Sequence, residues 1–149
     1  MLFGRITQAS IRALDWLAAR TLPPAKLPKH QRTGRAGEEA AYFYLRRLGY
    51  VMVARNFRSP RRRGEIDLIG WHKDVLCFIE VKTRSSRDIK PAQAAVDREK
   101  QRQLQLVARE YLHHAPPSCQ WRFDIVSVYF EDEPSPPRFE LFQNAYPLA

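Results

Sequence analysis

Two acids and a lysine stand inside two otherwise apolar runs of this chain and are the groups best suited to chemistry. Residues 64–69 (GEIDLI) contain Asp67, and residues 78–82 (FIEVK) contain Glu80 and Lys82. Charged groups are costly to bury unless they pair or hold a metal, so their presence in apolar strand sequence requires a chemical reason. The chemistry that this set predicts is phosphodiester hydrolysis.

The two runs form a hairpin if Lys73 and Asp74 make a two-residue turn. The register then sets three pairs opposite one another: His72 and Val75, Asp67 and Glu80, Glu65 and Lys82. Opposite residues of an antiparallel pair project from one face, so the charged groups converge. The other face is expected to pack in a core through Ile66, Leu68, Cys77, Ile79 and Val81. A slip of one residue would separate the two acids.

Two carboxylates at cross-strand distance repel each other unless a cation lies between them. Oxygen ligands favour a hard divalent ion, and we expect Mg²⁺ or Mn²⁺. A thiolate site is disfavoured because Cys77 and Cys119 stand alone in the sequence. The alternative is a structural ion-pair network, in which Asp67 and Glu65 pair with Lys82 and nearby arginines.

A helix is expected to begin after Thr33 as N-cap and to stop at Gly49. Its predicted apolar stripe consists of Ala41, Tyr44, Leu45 and Leu48. Glu38 lies three residues before Ala41, on the same face of the helix, and is therefore expected to face inward. Glu39 is expected on the surface. Glu38 is a candidate member of the acidic site. The alternative is an ordinary first-turn acid that is favoured by the helix dipole.

A second helix is predicted from about Asp97 to Leu112. Its buried stripe consists of Val96, Leu104, Val107, Ala108 and Tyr111. Lys100 lies on the same stripe, so its ammonium group either approaches the acids or reaches water while its stem covers apolar surface.

Further strands are predicted at residues 50–58, 121–130 and 138–142. With the hairpin and the helices they give the order α-β-β-β-α-β-β, which predicts an α/β fold with a mixed central sheet flanked by helices. Asp124 lies in the second of these strands. It either supports the acidic site or, as the pattern favours, pairs with an arginine such as Arg122.

Five groups of residues together resemble the YraN family of bacterial proteins. They are Gly34-Arg35-x-Gly37-Glu38, Asn56, residues 64–69, Glu80-Val81-Lys82-x-Arg84 and Arg122-Phe123-Asp124. The likeness covers the chain from Gly34 onward. That family is similar to the PD-(D/E)xK superfamily, which has a restriction-endonuclease-like fold and includes Holliday junction resolvases.

The resemblance implies a role for each matching residue. Asp67 and Glu80 correspond to the metal-binding carboxylates, and Lys82 corresponds to the catalytic lysine. Glu38 matches the helical acid of the superfamily, and the carbonyl of Val81 matches a frequent metal ligand. Ile66 stands where the superfamily often has proline. Because fold likeness alone does not establish activity, the function must be argued from the site.

The charge composition predicts a polyanionic partner, and the resemblance to DNA-processing nucleases implies that this partner is DNA. The chain has 25 Lys and Arg against 16 Asp and Glu, a formal net charge of +9. Eight basic residues near the acidic strands are candidate nucleic-acid contacts: Arg58, Arg61, Arg62, Arg63, Arg84, Arg87, Lys90 and Lys100. Phosphate contacts position a backbone without reading sequence, so structure-selective or nonspecific recognition is expected. The alternative is a basic surface that serves solubility.

Residues 1–33 are expected to form a basic amphipathic helix and a Pro/Lys-rich linker, and residues 34–149 one endonuclease-like domain. The first segment resembles neither a signal peptide nor a membrane span, and it is expected to dock on the domain; the alternatives are a protein partner and a membrane surface. Two isolated cysteines suit a cytoplasmic protein. A homodimer is compatible with resolvase-like work. The alternative function is a catalytically weak nucleic-acid-binding or scaffold protein that retains the fold.

Overall fold

The computed structural model describes residues 29–85, 98–130 and 136–146 of the chain. Its elements, in chain order, are α1 (Lys29–Arg47), β1 (Val51–Arg58), β2 (Glu65–His72), β3 (Val75–Ser85), α2 (Arg98–Leu112), β4 (Gln120–Phe130) and β5 (Arg138–Phe142). This order, helix, three strands, helix, two strands, confirms the predicted α/β arrangement. The helix and linker predicted for residues 1–33 lie largely outside the described residues, and the domain boundary there stays a prediction.

The five strands form one sheet in the order β1-β2-β3-β4-β5. Strands β3 and β4 pair in parallel, and the other neighbours pair antiparallel. The sheet is therefore mixed, as predicted. Strand β3 pairs antiparallel with β2 on one side and parallel with β4 on the other.

The β2–β3 hairpin has the predicted register. Its pairs run from His72 and Val75 at the turn to Leu68 and Ile79. Lys73 has a φ of 56°, the left-handed conformation that tight turns require. The ladder stops one pair short of the acids, where the Asp67 carboxylate accepts a hydrogen bond from the backbone N–H of Val81, with a donor to acceptor distance of 2.7 Å.

Apolar side chains pack on both faces of the sheet, one helix to each face. On one face, the buried residues are Ala41, Tyr42 and Leu45 of α1 with Leu68, Cys77, Ile79, Val126 and Val128 of the sheet. On the other face, they include Leu104, Val107 and Ala108 of α2 with Ile69, Leu76, Phe78, Phe123 and Ile125. The helices therefore flank the sheet, and the acidic strands lie between them.

Ile66 does not pack on the face that the alternation predicts. It belongs to the cluster of α2, with Ile69, rather than to the cluster of α1, with Leu68. The ladder with β3 ends at Leu68, so strict alternation is no longer imposed on the residues before it.

Helix α1 begins at Lys29, so the predicted start after Thr33 is wrong. No glycine or proline separates Lys29 from Thr33, and Pro28 precedes the first turn, where proline is well tolerated. The predicted stop is confirmed. Gly49 has a φ of 92°, and its N–H donates to the carbonyl of Arg46 at 3.1 Å.

The buried stripe of α1 is rotated relative to the prediction. Tyr42 is buried, whereas Leu48 is 45% exposed, because the helix has ended and the chain turns away at that point. Tyr44 is half-buried and stacks on Phe139 of β5, with ring centroids 4.3 Å apart. Glu38 still lies on the inward side, three residues before the fully buried Ala41.

Helix α2 and strands β1, β4 and β5 lie within one residue of their predicted bounds. Leu104, Val107 and Ala108 are buried as expected, while Val96 and Asp97 lie outside the described residues. None of the described helices is long and apolar enough to span a membrane.

Candidate active site

Glu80 is a buried carboxylate that contacts two lysines. Its side chain is 6% exposed, and its Oε1 atom lies 3.0 Å from the Nζ atom of Lys82 on the same strand. Lys100 of α2 contacts the same oxygen from the other side. Of the two alternatives for Lys100, the structure shows the approach to the acids, and the α2 helix supplies a cation to strand β3.

Asp67 lies in the same site, and no ammonium group of the described residues forms an ion pair with it. Burial, and then the charge of Glu80, raise the pKa of Asp67 to about 8, while the hydrogen bond from Val81 N–H opposes the rise. Glu38 raises it further, and Lys100 lowers it. A carboxyl that holds its proton near neutral pH, beside a second carboxylate, is typical of sites that bind cations or transfer protons.

Glu38 reaches the edge of the site from α1. Burial, and then the charge of Glu65, raise the pKa of Glu38; Arg55 and Arg35 oppose this rise, and Glu80 adds to it. Glu38 of the helix therefore interacts electrostatically with Glu65 and Glu80 of the sheet.

Asn56 connects Glu38 to β2, a role that the sequence reasoning missed. With the amide oriented by its hydrogen bonds, Asn56 donates to Glu65 at 2.9 Å and to Glu38 at 3.1 Å. Its φ of 50° inside strand β1 is uncommon for a residue with a side chain. Asparagine tolerates this left-handed conformation better than most residues. An asparagine inside a predicted strand was therefore the one sequence signal for an irregularity at this position.

The predicted convergence of Glu65 and Lys82 is not observed. Glu65 pairs with Arg58, the residue opposite it on β1, and accepts a hydrogen bond from the Arg58 Nε atom at 2.6 Å. Lys82 instead lies against Glu80. The β1–β2 register decides this outcome, because it sets Arg58 directly opposite Glu65.

The ion pairs of the site are concentrated on one acid. Lys82 and Lys100 both contact Glu80, Glu65 is paired with Arg58, and Arg55 and Arg35 lower the pKa of Glu38. Among the described residues no group of three or more acidic, histidine or cysteine side chains is arranged to hold a metal. A metal here would thus rest on two carboxylates, a backbone oxygen and water, which is a usual shell for Mg²⁺.

Asp124 pairs with Arg122, as the pattern favoured, and does not join the acidic site. Its Oδ1 atom accepts from the Arg122 Nε atom at 2.8 Å and from the backbone N–H of Asn144 at 3.0 Å. Tyr50 donates to the Oδ2 atom at 3.1 Å. The fully buried Asp124 carboxylate thereby ties the chain segment after β5 to the sheet.

That segment brings Tyr146 to the acids, and sequence reasoning missed it. The ring is 4% exposed and stacks on Phe123, with centroids 4.7 Å apart. Its hydroxyl has no hydrogen-bond partner among the described residues. Burial, and then the charges of Glu80 and Asp67, raise its pKa. No local sequence pattern indicates this approach, because it depends on the fold beyond β5.

Lys100, one of the eight predicted nucleic-acid contacts, pairs with Glu80, and the other seven divide into three groups. Arg58, Arg61, Arg62 and Arg63 are exposed in and beside the loop that enters β2. The Arg84 side chain is half-buried, and its Nε atom has no hydrogen-bond partner in the described part of the chain. Arg87 and Lys90 lie outside the described residues. The Arg62 Nε atom lies 3.9 Å from Glu110 of α2, which sets the arginine loop beside that helix.

Comparison with known proteins gives a consistent family assignment. The family described as "Uncharacterised protein family UPF0102" matches residues 37–128. A UPF0102 protein of Koribacter versatilis is 52% identical over 143 residues, covering 96% of each chain. Another, of Solibacter usitatus, is 42% identical over 138 residues, covering 91% of this chain and 96% of its own. A third, of Symbiobacterium thermophilum, is 45% identical over 122 residues, covering 78% and 97%. The chain therefore belongs to the UPF0102 family, the YraN-like group that its motifs resemble.

Proposed function

We propose that this protein is a metal-dependent endonuclease that hydrolyses phosphodiester bonds in DNA. The proposal is supported by two carboxylates on adjacent strands, the buried Glu80 and the half-buried Asp67, with Lys82 lying 3.0 Å from Glu80. The names of the relatives assign no activity, so the proposal rests on the site itself.

Asp67, Glu80 and the carbonyl of Val81 are the groups that would hold Mg²⁺ or Mn²⁺. The donor set suits these ions because it consists of hard oxygen atoms. When bound, the ion would polarise a phosphoryl oxygen, lower the pKa of a water molecule and neutralise charge on the leaving oxygen.

The remaining groups have separate roles in this proposal. Lys82 orients the attacking water or donates a hydrogen bond to the phosphoryl oxygen on which charge develops. Glu38, whose pKa is raised by burial and by Glu65, accepts a proton at the edge of the site. Asn56 holds Glu38 and Glu65 in position through its amide. Lys100 balances the charge of Glu80 until substrate is bound.

The exposed arginines beside the site provide contacts to phosphate groups. Arg61, Arg62 and Arg63 lie in the loop that leads directly into β2, and Arg58 lies at the end of β1. Such contacts recognise the backbone rather than the base sequence, so we infer structure-selective cleavage of branched or junction DNA. The proposal includes a homodimer, since a four-way junction presents two symmetric strands. It also includes a protein partner that binds residues 1–33.

One observation favours a second candidate, a nucleic-acid-binding or scaffold protein that retains the fold but cleaves little. Lys82 and Lys100 both contact the same oxygen of Glu80, so the ion pairs partly neutralise the carboxylate without a metal. In that case the acids would serve as a buried ion-pair network, and the arginines alone would bind DNA.

The test compares wild type, Asp67→Ala and Glu39→Gln on single-stranded, duplex, flapped and four-way-junction DNA with Mg²⁺, Mn²⁺ or EDTA. We expect cleavage that requires metal and falls at least about 100-fold in Asp67→Ala, because a metal ligand is lost. Glu39 is exposed on α1 next to Glu38, so Glu39→Gln is the matched control and should cleave like wild type.

Binding to the same DNAs distinguishes the two candidate functions. Tight binding without cleavage by wild type on every substrate and metal would reject the nuclease and favour the binding protein. Equal cleavage by wild type and Asp67→Ala would reject the site assignment.

A further inference from the structure

The Tyr146 hydroxyl is a buried polar group whose presence packing does not explain. The side chain is almost fully buried, and its ring stacks on Phe123. A phenylalanine ring would make the same stack, so only the hydroxyl distinguishes tyrosine at this position. That hydroxyl has no hydrogen-bond partner among the described residues. Leaving a buried hydroxyl without a partner costs about 1–3 kcal/mol, so a bound molecule is expected to supply one.

The Tyr146 ring lies on the α2 face of the sheet, next to Glu80. Phe123, on which it stacks, contacts Phe78 with ring centroids 5.6 Å apart, and Phe78 is two residues before Glu80 in β3. Residues two apart in a strand project from the same face. Ile125, which lies beside Glu80 in the parallel register, belongs to the same buried cluster as Tyr146. The tyrosine and the acid therefore share one face of the sheet.

Two backbone hydrogen bonds hold the segment that carries the tyrosine. The N–H of Asn144 donates to the Asp124 carboxylate at 3.0 Å, and the N–H of Ala145 donates to the Phe123 carbonyl at 2.9 Å. Asn144 has a φ of 50°, so the chain turns just before the tyrosine. The ring is thus held by two anchored neighbours and by its stack. A side chain that is already ordered loses little freedom when it binds a ligand.

Each acid of the pair uses one oxygen for its contacts within the protein. Both lysine contacts of Glu80 are made to Oε1, and the hydrogen bond from Val81 to Asp67 is made to Oδ2. Within the described residues, no hydrogen bond reaches Glu80 Oε2 or Asp67 Oδ1. Burial, and then the charges of Glu80 and Asp67, raise the pKa of Tyr146, as expected for a hydroxyl near both acids. Two carboxylate oxygens and one hydroxyl are therefore available to a ligand.

We propose that Tyr146 is a positioning residue whose hydroxyl donates a hydrogen bond to the water molecule used for hydrolysis. This inference rests on the proposed function and adds a residue to it. A water molecule suits the three groups, because its oxygen accepts from the hydroxyl while its hydrogens are donated to the two carboxylate oxygens. Buried waters typically make about three such bonds. A bound Mg²⁺ would take the same carboxylate oxygens, and the hydroxyl then meets a water of its shell.

The burial of the hydroxyl favours water over a phosphate group as its ligand. The side chains of Lys82 and Lys100 are 22% and 42% exposed, so a nucleic-acid strand reaches the site from their side. The Tyr146 hydroxyl is buried, whereas a single water molecule is small enough to lie beside it. This separates two roles at the site. Tyr146 orients the water, and Lys82 donates to the phosphoryl oxygen.

The test compares wild type, Tyr146→Phe and Tyr111→Phe, each as the full chain. Tyr111 is the matched control, because its ring contacts Phe78 on the same face with centroids 6.0 Å apart. Burial raises the pKa of Tyr111, and the acids make no contribution. Each substitution removes one oxygen atom and keeps the ring. Urea unfolding in EDTA verifies that both variants are folded.

The expected effect is on the rate and not on binding. In Mg²⁺, the single-turnover cleavage rate at saturating protein should fall about 10-fold in Tyr146→Phe, which corresponds to about 1.4 kcal/mol. The protein concentration that gives half of the maximal rate, and the affinity for DNA in EDTA, should equal the wild-type values, because the hydroxyl does not contact DNA. Tyr111→Phe should match wild type in all three quantities.

Crystal structures of wild type and Tyr146→Phe, in Mg²⁺ and in EDTA, provide a measurement that needs no cleavage. In wild type we expect a water about 2.5–3.0 Å from the Tyr146 hydroxyl and in contact with Glu80, Asp67 or the bound ion. In Tyr146→Phe the same water should be absent or weakly occupied, since one of its hydrogen bonds is lost.

Two results would overturn the inference. The first is a folded Tyr146→Phe that cleaves at the wild-type rate, which would leave the nuclease proposal standing. The second is a wild-type crystal structure in which the hydroxyl bonds to a protein group and contacts no water. A wild type that never cleaves would reject the nuclease, and the crystal structures would then still decide whether the hydroxyl holds a water at the acids.

Discussion

Replacing Asp67 with asparagine should make the metal-free protein more stable above neutral pH while it removes the acid that the site needs. The Asp67 carboxyl has a pKa of about 8 in the folded protein, against an ordinary value of 3.8. Asparagine carries no charge, and its Oδ1 atom can still accept the hydrogen bond that Val81 N–H donates at 2.7 Å. The substitution therefore removes the electrostatic cost and keeps the contact.

The size and sign of the effect follow from the two pKa values. Below about pH 4 the carboxyl is protonated in both states and contributes no difference. As pH rises from about 4 to 8, the unfolded chain releases the proton and the folded chain keeps it, so wild-type stability falls. About four pKa units at 1.4 kcal/mol each set a ceiling of about 6 kcal/mol. Because the Asp67 charge is coupled to Glu80 and partly offset by Lys100, we expect a gain of about 2 kcal/mol at about pH 8.

The assay is urea unfolding in EDTA at about pH 5, 6.5 and 8. The stability difference between Asp67→Asn and wild type should grow with pH, while the exposed control Glu39→Gln should follow wild type. Mg²⁺ should stabilise wild type at the highest pH and leave Asp67→Asn unchanged, because a ligand stabilises only the state that binds it. Parallel loss of stability by wild type and Asp67→Asn across this range would refute the reasoning, since Asp67 would then be ionised and already balanced by the lysines.

Three further substitutions test the supports of the site by urea unfolding. Asp124→Ala should cost about 1–3 kcal/mol, because it removes the buried carboxylate that accepts from the half-buried Arg122, from Tyr50 and from the backbone N–H of Asn144. Gly37→Ala should cost about 1–3 kcal/mol, since a Cβ there would overlap the Thr83 side chain where α1 meets β3. Tyr146→Phe should leave stability within about 1 kcal/mol of wild type or raise it, because the hydroxyl is buried without a partner in the described structure.

Each of these expectations has a clear contrary result. A cost below about 1 kcal/mol for Asp124→Ala would mean that the network does not hold the chain end. An unchanged urea midpoint for Gly37→Ala would mean that α1 can move away from β3 freely. A loss of about 2 kcal/mol in Tyr146→Phe would reveal a hydrogen bond to the hydroxyl.

The hairpin could be predicted from sequence because two strong local signals agree. The alternation of apolar and polar residues and the short turn at Lys73 fix one register, and that register brings Asp67 near Glu80. The helical period likewise set Glu38 and Lys100 facing the sheet. For these residues, local geometry determines the tertiary position.

Other features depend on pairings that no local signal fixes. The partner of Glu65 follows from the β1–β2 register, which contains an irregularity between Met52 and Ala54. Ile66 changes faces beyond the end of the hairpin ladder, where it pairs with Phe57 of β1 beside the left-handed Asn56. Tyr42, and not Leu48, is buried because the helix ends at Arg47 and the chain turns. A helical period is compatible with a buried stripe that contains Leu48 and with one that contains Tyr42. Only the residues packed against the helix decide between these two stripes.

The polar cluster at the centre of the molecule takes its members from separate elements, Glu38 from α1, Asp67 from β2, Glu80 from β3 and Lys100 from α2. During synthesis these elements emerge from the ribosome one after another, and Lys100 emerges last of the four. A nascent or truncated chain that ends before α2 has the acids but lacks the lysine that α2 brings to Glu80. The complete set therefore exists only in a chain that has folded around β3, and a partly made protein lacks the assembled site.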